Sequence, residues 1–213
     1  MRIEQSSIVV DQTTISYDHF QMGSKQVCFL ISGASYLYDH PYFYYSRMAL
    51  LARGIDVICI HYVTEELFSM SDAESNACMT RRVDAVVSEV LEKHAYENVQ
   101  FIAKSLGTIP LAALLAKPNL QTARFVFLTP VLKAEVVEQI VTSTQAGLIV
   151  IGTADKFYDE AALETCQTSQ LMIDVIEGAN HSLDQGFEVD SSLAVLGHVI
   201  RQIEVSLFES LHQ

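Results

Sequence analysis

Ser105, Asp155 and His181 are the residues of this chain whose types and spacing could carry chemistry together. Ser105 lies in Val99-Gln100-Phe101-Ile102-Ala103-Lys104-Ser105-Leu106-Gly107-Thr108, an apolar strand pattern that runs through small-x-Ser-x-Gly into a helical one. That junction has the pattern of a nucleophile elbow, a sharp turn that lifts a serine above a sheet. The residues two before and two after the serine must then be small enough to pass neighbouring backbone. Gly107 meets the need, and Ala103 is the next smallest choice. The same turn aims the Leu106 amide at the space above the serine, where an oxyanion would form.

Two later strand ends supply partners. Asp155 follows the run Leu148–Gly152 in Thr153-Ala154-Asp155, and His181 follows Gln170–Ile176 in Glu177-Gly178-Ala179-Asn180-His181. The chain order Ser, Asp, His is that of one class of hydrolase. A serine is a weak nucleophile until an imidazole within reach takes its proton. A carboxylate then fixes the imidazole tautomer and stabilises the imidazolium that forms.

Plainer readings stand beside these. A serine after a strand can be a helix N-cap, and Asp159 is a second acid in the same segment as Asp155. Asp155 is preferred because it lies nearer the strand end. His61 also ends a strand but lacks a carboxylate loop in the right order, and His40 reads as a surface residue. Lys104-Ser105 before a helix brings a phosphate loop to mind, yet that motif needs glycine where Asn98 and Ala103 stand. No set of His, Asp or Glu shows metal-ligand spacing such as HExxH.

These residues need a scaffold, and the hydrophobic pattern describes one. Short strands on either side of Asp11-Gln12, from Ser6 to Tyr17, suggest an opening hairpin. Apolar strands are predicted at Val27–Ile31, Val57–His61, Asn98–Ala103, Phe125–Thr129, Leu148–Gly152 and Gln170–Ile176. Helices are predicted at Tyr42–Arg53, Ala77–His94, Ala134–Thr142, Glu160–Cys166 and Ser191–Leu211, with another after the elbow that Pro118 ends. Pro110, early in that helix, predicts an irregular first turn. Strands alternating with helices predict an α/β fold, a mostly parallel central sheet covered on both faces, as one domain over 1–213. Ligands collect at the carboxyl ends of such strands.

On these motifs the chain resembles the α/β-hydrolase-fold serine hydrolases. The matching residues are Ala103-Lys104-Ser105-Leu106-Gly107, Gly152-Thr153-Ala154-Asp155, Gly178-Ala179-Asn180-His181-Ser182-Leu183, and Ile31-Ser32-Gly33-Ala34 in the place of the oxyanion loop. The resemblance implies an oxyanion hole from the amides of Ala34 and Leu106. It also implies acyl transfer through a serine ester on a small carboxylic ester, thioester or amide, with no cofactor. An acyltransferase, a peptidase or a non-catalytic binding protein could use the same fold. Ser32 departs from the family, standing where a supporting histidine is common. Only Val131 to Ala146 lies where members insert a lid, so no cap domain is expected. Cover must come from Ser35–Tyr45 or Val63–Asn76, and Ser35, Tyr36 and Tyr38 are candidate pocket residues.

Composition narrows the remaining classes. With 213 residues, half of them hydrophobic, the chain can bury a sizeable core without disulfides or metal. A formal charge of −13 disfavours nucleic acid and anionic membrane as partners. No apolar run reaches the roughly 18 residues of a membrane span. Four scattered cysteines and an N-terminus without an export pattern point to the cytoplasm. Oligomeric state is left open.

Overall fold

A computed structural model describes residues 1–208; the predicted end of the last helix, residues 209–211, lies outside them. The chain opens with an antiparallel hairpin of β1 (Arg2–Val10) and β2 (Thr13–Gln21). Asp11 and Gln12 make its turn with φ of 51° and 66°, the left-handed pair that suits the twist of a two-residue hairpin. Both strands run past the predicted Ser6–Tyr17 because the polar ends, from Arg2 opposite Gln21 inward, still pair across the ladder.

Six parallel strands follow: β3 (Gln26–Ile31), β4 (Asp56–His61), β5 (Asn98–Lys104), β6 (Arg124–Leu128), β7 (Gly147–Gly152) and β8 (Leu171–Ile176). With the hairpin they form one eight-stranded sheet in the order β1-β2-β4-β3-β5-β6-β7-β8. β3, β5, β6 and β7 are buried along nearly their whole length, which explains their apolar runs, interrupted in β5 by Gln100.

Alternation sorts each strand between two cores. Phe29, Phe101, Phe125 and Ile149 face α2 (Asp72–Lys93), α3 (Thr108–Leu114), α4 (Ala134–Thr142) and α5 (Glu160–Cys166). Leu30, Ile102, Val126 and Leu148 face α1 (Pro41–Ala52) and α6 (Val189–Phe208). Phe29, Phe101 and Phe125 stack across three strands with ring centroids 5.2 and 5.0 Å apart. Each such pair contributes about 0.5–1.5 kcal/mol beyond its buried area.

α2 begins five residues before the predicted Ala77. Ser71 and Glu74 close a reciprocal capping box there, so a polar first turn hides the start of the helix. β6 and β7 are joined by α4 alone, without a cap domain. No helix of the described residues is long and apolar enough to cross a membrane.

Candidate active site

β5 ends at Lys104, and Ser105 takes φ +53° at the start of a 3-10 turn, Ser105–Gly107, that leads into α3. A left-handed serine costs backbone energy and persists only where its surroundings hold it. Several neighbours do so. Thr108 Oγ1 donates to the Ser105 carbonyl at 2.6 Å and accepts the Val131 amide at 3.1 Å. A Cβ on Gly107 would lie 2.4 Å from the Ile31 carbonyl oxygen and 2.6 Å from that of Ser32, so only glycine fits. Ala103 sits in the ladder between Ile31 and Phe127. The short helix after the turn accommodates Pro110.

The acid and histidine loops are tied to each other. The Ala154 amide donates to the Ala179 carbonyl at 3.0 Å, and the Gly178 amide to Thr153 Oγ1 at 2.8 Å. Gly152 allows this approach, since its Cβ would lie 2.0 Å from the Ala179 carbonyl oxygen. His181 then bridges two strand ends: Nδ1 is 2.8 Å from Asp155 Oδ2, and Nε2 is 2.7 Å from Ser105 Oγ. The Asp155 side chain is excluded from solvent and accepts the Phe157 amide at 2.9 Å. A carboxylate oxygen accepts, so this pairing matches the tautomer with the proton on Nδ1, which leaves Nε2 to accept from Ser105. Phe157 meets the imidazole edge to face at 5.3 Å. Asp159 has a different task, capping α5 through the Ala162 amide at 3.0 Å.

Gly33 lies against the elbow, its Cβ position 3.2 Å from Ser105 Cβ. Among the described residues the Ala34 amide has no acceptor, and Ala34, Ser105 and Leu106 border one cavity. Two buried tyrosines hold this loop. Tyr62 donates to the Ser32 carbonyl at 2.7 Å, and the Tyr38 hydroxyl accepts the Ser32 amide at 3.2 Å. The same Tyr38 oxygen lies within hydrogen-bond distance of the Leu30 and Ile60 carbonyls. Burial pushes both phenols well above the usual tyrosine range.

The cavity beside Ser105 measures about 530 Å³, and Leu67, Phe68, Met70, Ile109, Val131 and Phe157 form its apolar wall. Cover therefore comes from the Val63–Asn76 segment. The residues expected to line the pocket are placed as follows. Tyr38 is a buried support whose hydroxyl is consumed by backbone, while Ser35 and Tyr36 line a separate recess of about 310 Å³ beside Ser182 and Asp184. His61 pairs with Asp18 at 2.8 Å across β2 and β4, and His40 stacks on Tyr36. No cluster of three or more His, Cys, Asp or Glu suited to a metal occurs among the described residues.

Sequence reasoning misses Tyr62, which reaches the Ser32 carbonyl from a distant segment, and it offers Tyr38 as a pocket residue where the folded chain uses its hydroxyl to hold backbone. Lys104 carries a visible signal, a lysine closing the buried run Phe101-Ile102-Ala103.

No family model and no curated protein matches the sequence. Solved structures do match in shape. The esterase Pf2001 of Pyrococcus furiosus superposes with a TM-score of 0.71 at 12% identity, over 95% of this chain and 93% of that one. Dienelactone hydrolase from Anabaena variabilis gives 0.71 at 14%, over 97% and 98%. The thioesterase domain from the curacin biosynthetic pathway gives 0.65 at 11%, over 94% and 100%. With its eight-stranded sheet, its strand order and these superpositions, the chain has the α/β-hydrolase fold.

Proposed function

We propose that this protein is a serine hydrolase that cleaves small carboxylic esters by way of an acyl-enzyme. One observation carries the reading: His181 lies within hydrogen-bond distance of both Ser105 Oγ and Asp155 Oδ2, at 2.7 and 2.8 Å. As Ser105 Oγ attacks the ester carbonyl, Nε2 of His181 takes its proton. Asp155 holds the resulting imidazolium without itself becoming protonated. The amides of Ala34 and Leu106 receive the oxyanion, the term that removal of a donor shows to be worth about 10²–10³ in rate. Collapse expels the alcohol, protonated by His181. A water then attacks the Ser105 ester with His181 again as base and releases the acid.

The apolar wall and the cavity volume favour a compact hydrophobic acyl or alcohol group. Esterases and a thioesterase among the structural neighbours agree with ester or thioester chemistry. Four free, buried cysteines suit a reducing cytoplasm.

Hydrolysis of p-nitrophenyl acetate and labelling by a fluorophosphonate test the proposal. Wild type is expected to turn over the ester and take one label on Ser105, and Ser105→Ala to do neither. A wild-type protein that takes no label overturns it.

A further inference from the structure

Lys104, the residue before the candidate nucleophile, is 1% exposed and on the core face shared with Ile102. Burying an ammonium is costly unless it is paired, and an apolar side chain would fill this strand position more cheaply. No carboxylate among the described residues lies within ion-pair distance of it. Its protons are nevertheless all directed. Nζ donates to Thr129 Oγ1 at 2.7 Å and to the His181 carbonyl at 2.7 Å, and it stands 4.8 Å above the ring of Tyr36. One side chain thereby ties the end of β5 and the residue after β6 to the backbone of the histidine loop.

We propose that Lys104 is a positioning residue: its bond to the His181 carbonyl sets the imidazole at its distance from Ser105 Oγ. The inference rests on the reading of Ser105 and His181 as the reacting pair. His181 belongs to a loop that follows the edge strand β8, and on its Nδ1 side the ring is held by Asp155. The Lys104 bond acts on the other end of the residue, so the ring cannot swing with the loop. Burial pushes the lysine down to about 7, against the opposing pull of Asp155 and Asp184. A neutral amine still has two N–H groups for its two oxygen acceptors, so the tether survives in either state.

Lys104→Met keeps an unbranched stem and removes the donors; Thr129→Val removes one acceptor and leaves the His181 tether. Steady-state kinetics on p-nitrophenyl acetate, melting temperature and fluorophosphonate labelling rate are measured for each. Lys104→Met is expected to lose about 10- to 100-fold in kcat and in labelling rate with KM within twofold, the scale of a displacement of up to 1 Å. Thr129→Val is expected to melt lower while keeping kcat within about threefold of wild type, for the same reason. If Lys104→Met does not fold, Lys104→Gln carries the test, with an intermediate loss expected from its shorter arm. Unchanged kcat in the Lys104 variant, a loss in KM instead, or equal loss of kcat in both variants overturns the proposal. Absence of labelling in wild type would instead overturn the reading of Ser105 as nucleophile.

Discussion

Gly107→Ala is the sharpest test of how the elbow is built. The new methyl carbon would lie 2.4 Å from the Ile31 carbonyl oxygen and 2.6 Å from that of Ser32, where about 3 Å is the closest approach such atoms tolerate. Neither oxygen can yield freely. Ile31 is fully buried and paired with Ile60 and Ala103 on its two sides, and the Ser32 carbonyl is bonded to Tyr62. The elbow and the Ser32–Ala34 loop must therefore part by at least about 0.6 Å, an overpacking strain of about 1–3 kcal/mol. For a chain of this size that is a fall of about 2–4 °C in melting temperature per kcal/mol. The displaced pair carries Ser105 and the Ala34 and Leu106 amides proposed to receive the oxyanion, so kcat for p-nitrophenyl acetate should fall by about 10- to 100-fold. Gly54→Ala is the control. Gly54 has φ +74° with open space around its Cβ position, so alanine there should lower stability and leave kcat alone. Calorimetry and initial rates on the three proteins decide the matter. Native melting temperature and native kcat in Gly107→Ala would refute the packing argument.

Two further outcomes are expected. Tyr62→Phe removes the buried bond to the Ser32 carbonyl, which should cost about 0.5–1.5 kcal/mol in chemical denaturation; kcat should fall with it, and an unchanged kcat would show that the loop does not need this support. Asp56, at the opposite end of the sheet, is pushed up by burial but held below the usual carboxylate range by bonds from Tyr96, Met22, Ser24 and His19. A depressed folded value stabilises above the unfolded pKa of about 3.9 and ceases to do so as pH falls through the folded value. Asp56→Ala should accordingly show its largest melting deficit near pH 7 and a smaller one near pH 3; a constant deficit counts against the linkage.

Much of this architecture is legible in the sequence because burial on both faces leaves a strong mark. The buried stretches of β3, β6 and β7 contain almost nothing polar, β5 carries Gln100 and Lys104 within its buried run, and each ends close to a small residue or a turn. Ser105 and Asp155 stand out for the same reason, each following the end of such a run, and His181 follows the half-exposed edge strand β8, all at the carboxyl ends where an α/β sheet gathers its ligands. Polar elements are harder to read. The outer halves of β1 and β2 carry an alternation too weak to mark their ends, and the first turn of α2 is capped by groups that read as loop. Contacts between distant segments leave no local trace at all. Tyr36 and Tyr38 look like pocket residues by proximity to the oxyanion loop, but the folded chain turns one into a support and places the other in a side recess. Phe68, on the Val63–Asn76 segment, borders the cavity beside Ser105.

The tyrosine pair that holds the Ser32–Ala34 loop has a consequence for how this protein answers acidity. A histidine in such a support would titrate near 6.5, in the middle of the working range, and would couple loop geometry to proton uptake. Tyr38 and Tyr62, both driven upward by burial, keep their protons from acid to well above neutral. The support thus stays chemically silent across that range. A rate measured against pH would report the ionisation of the groups above the loop and not a rearrangement of the loop itself.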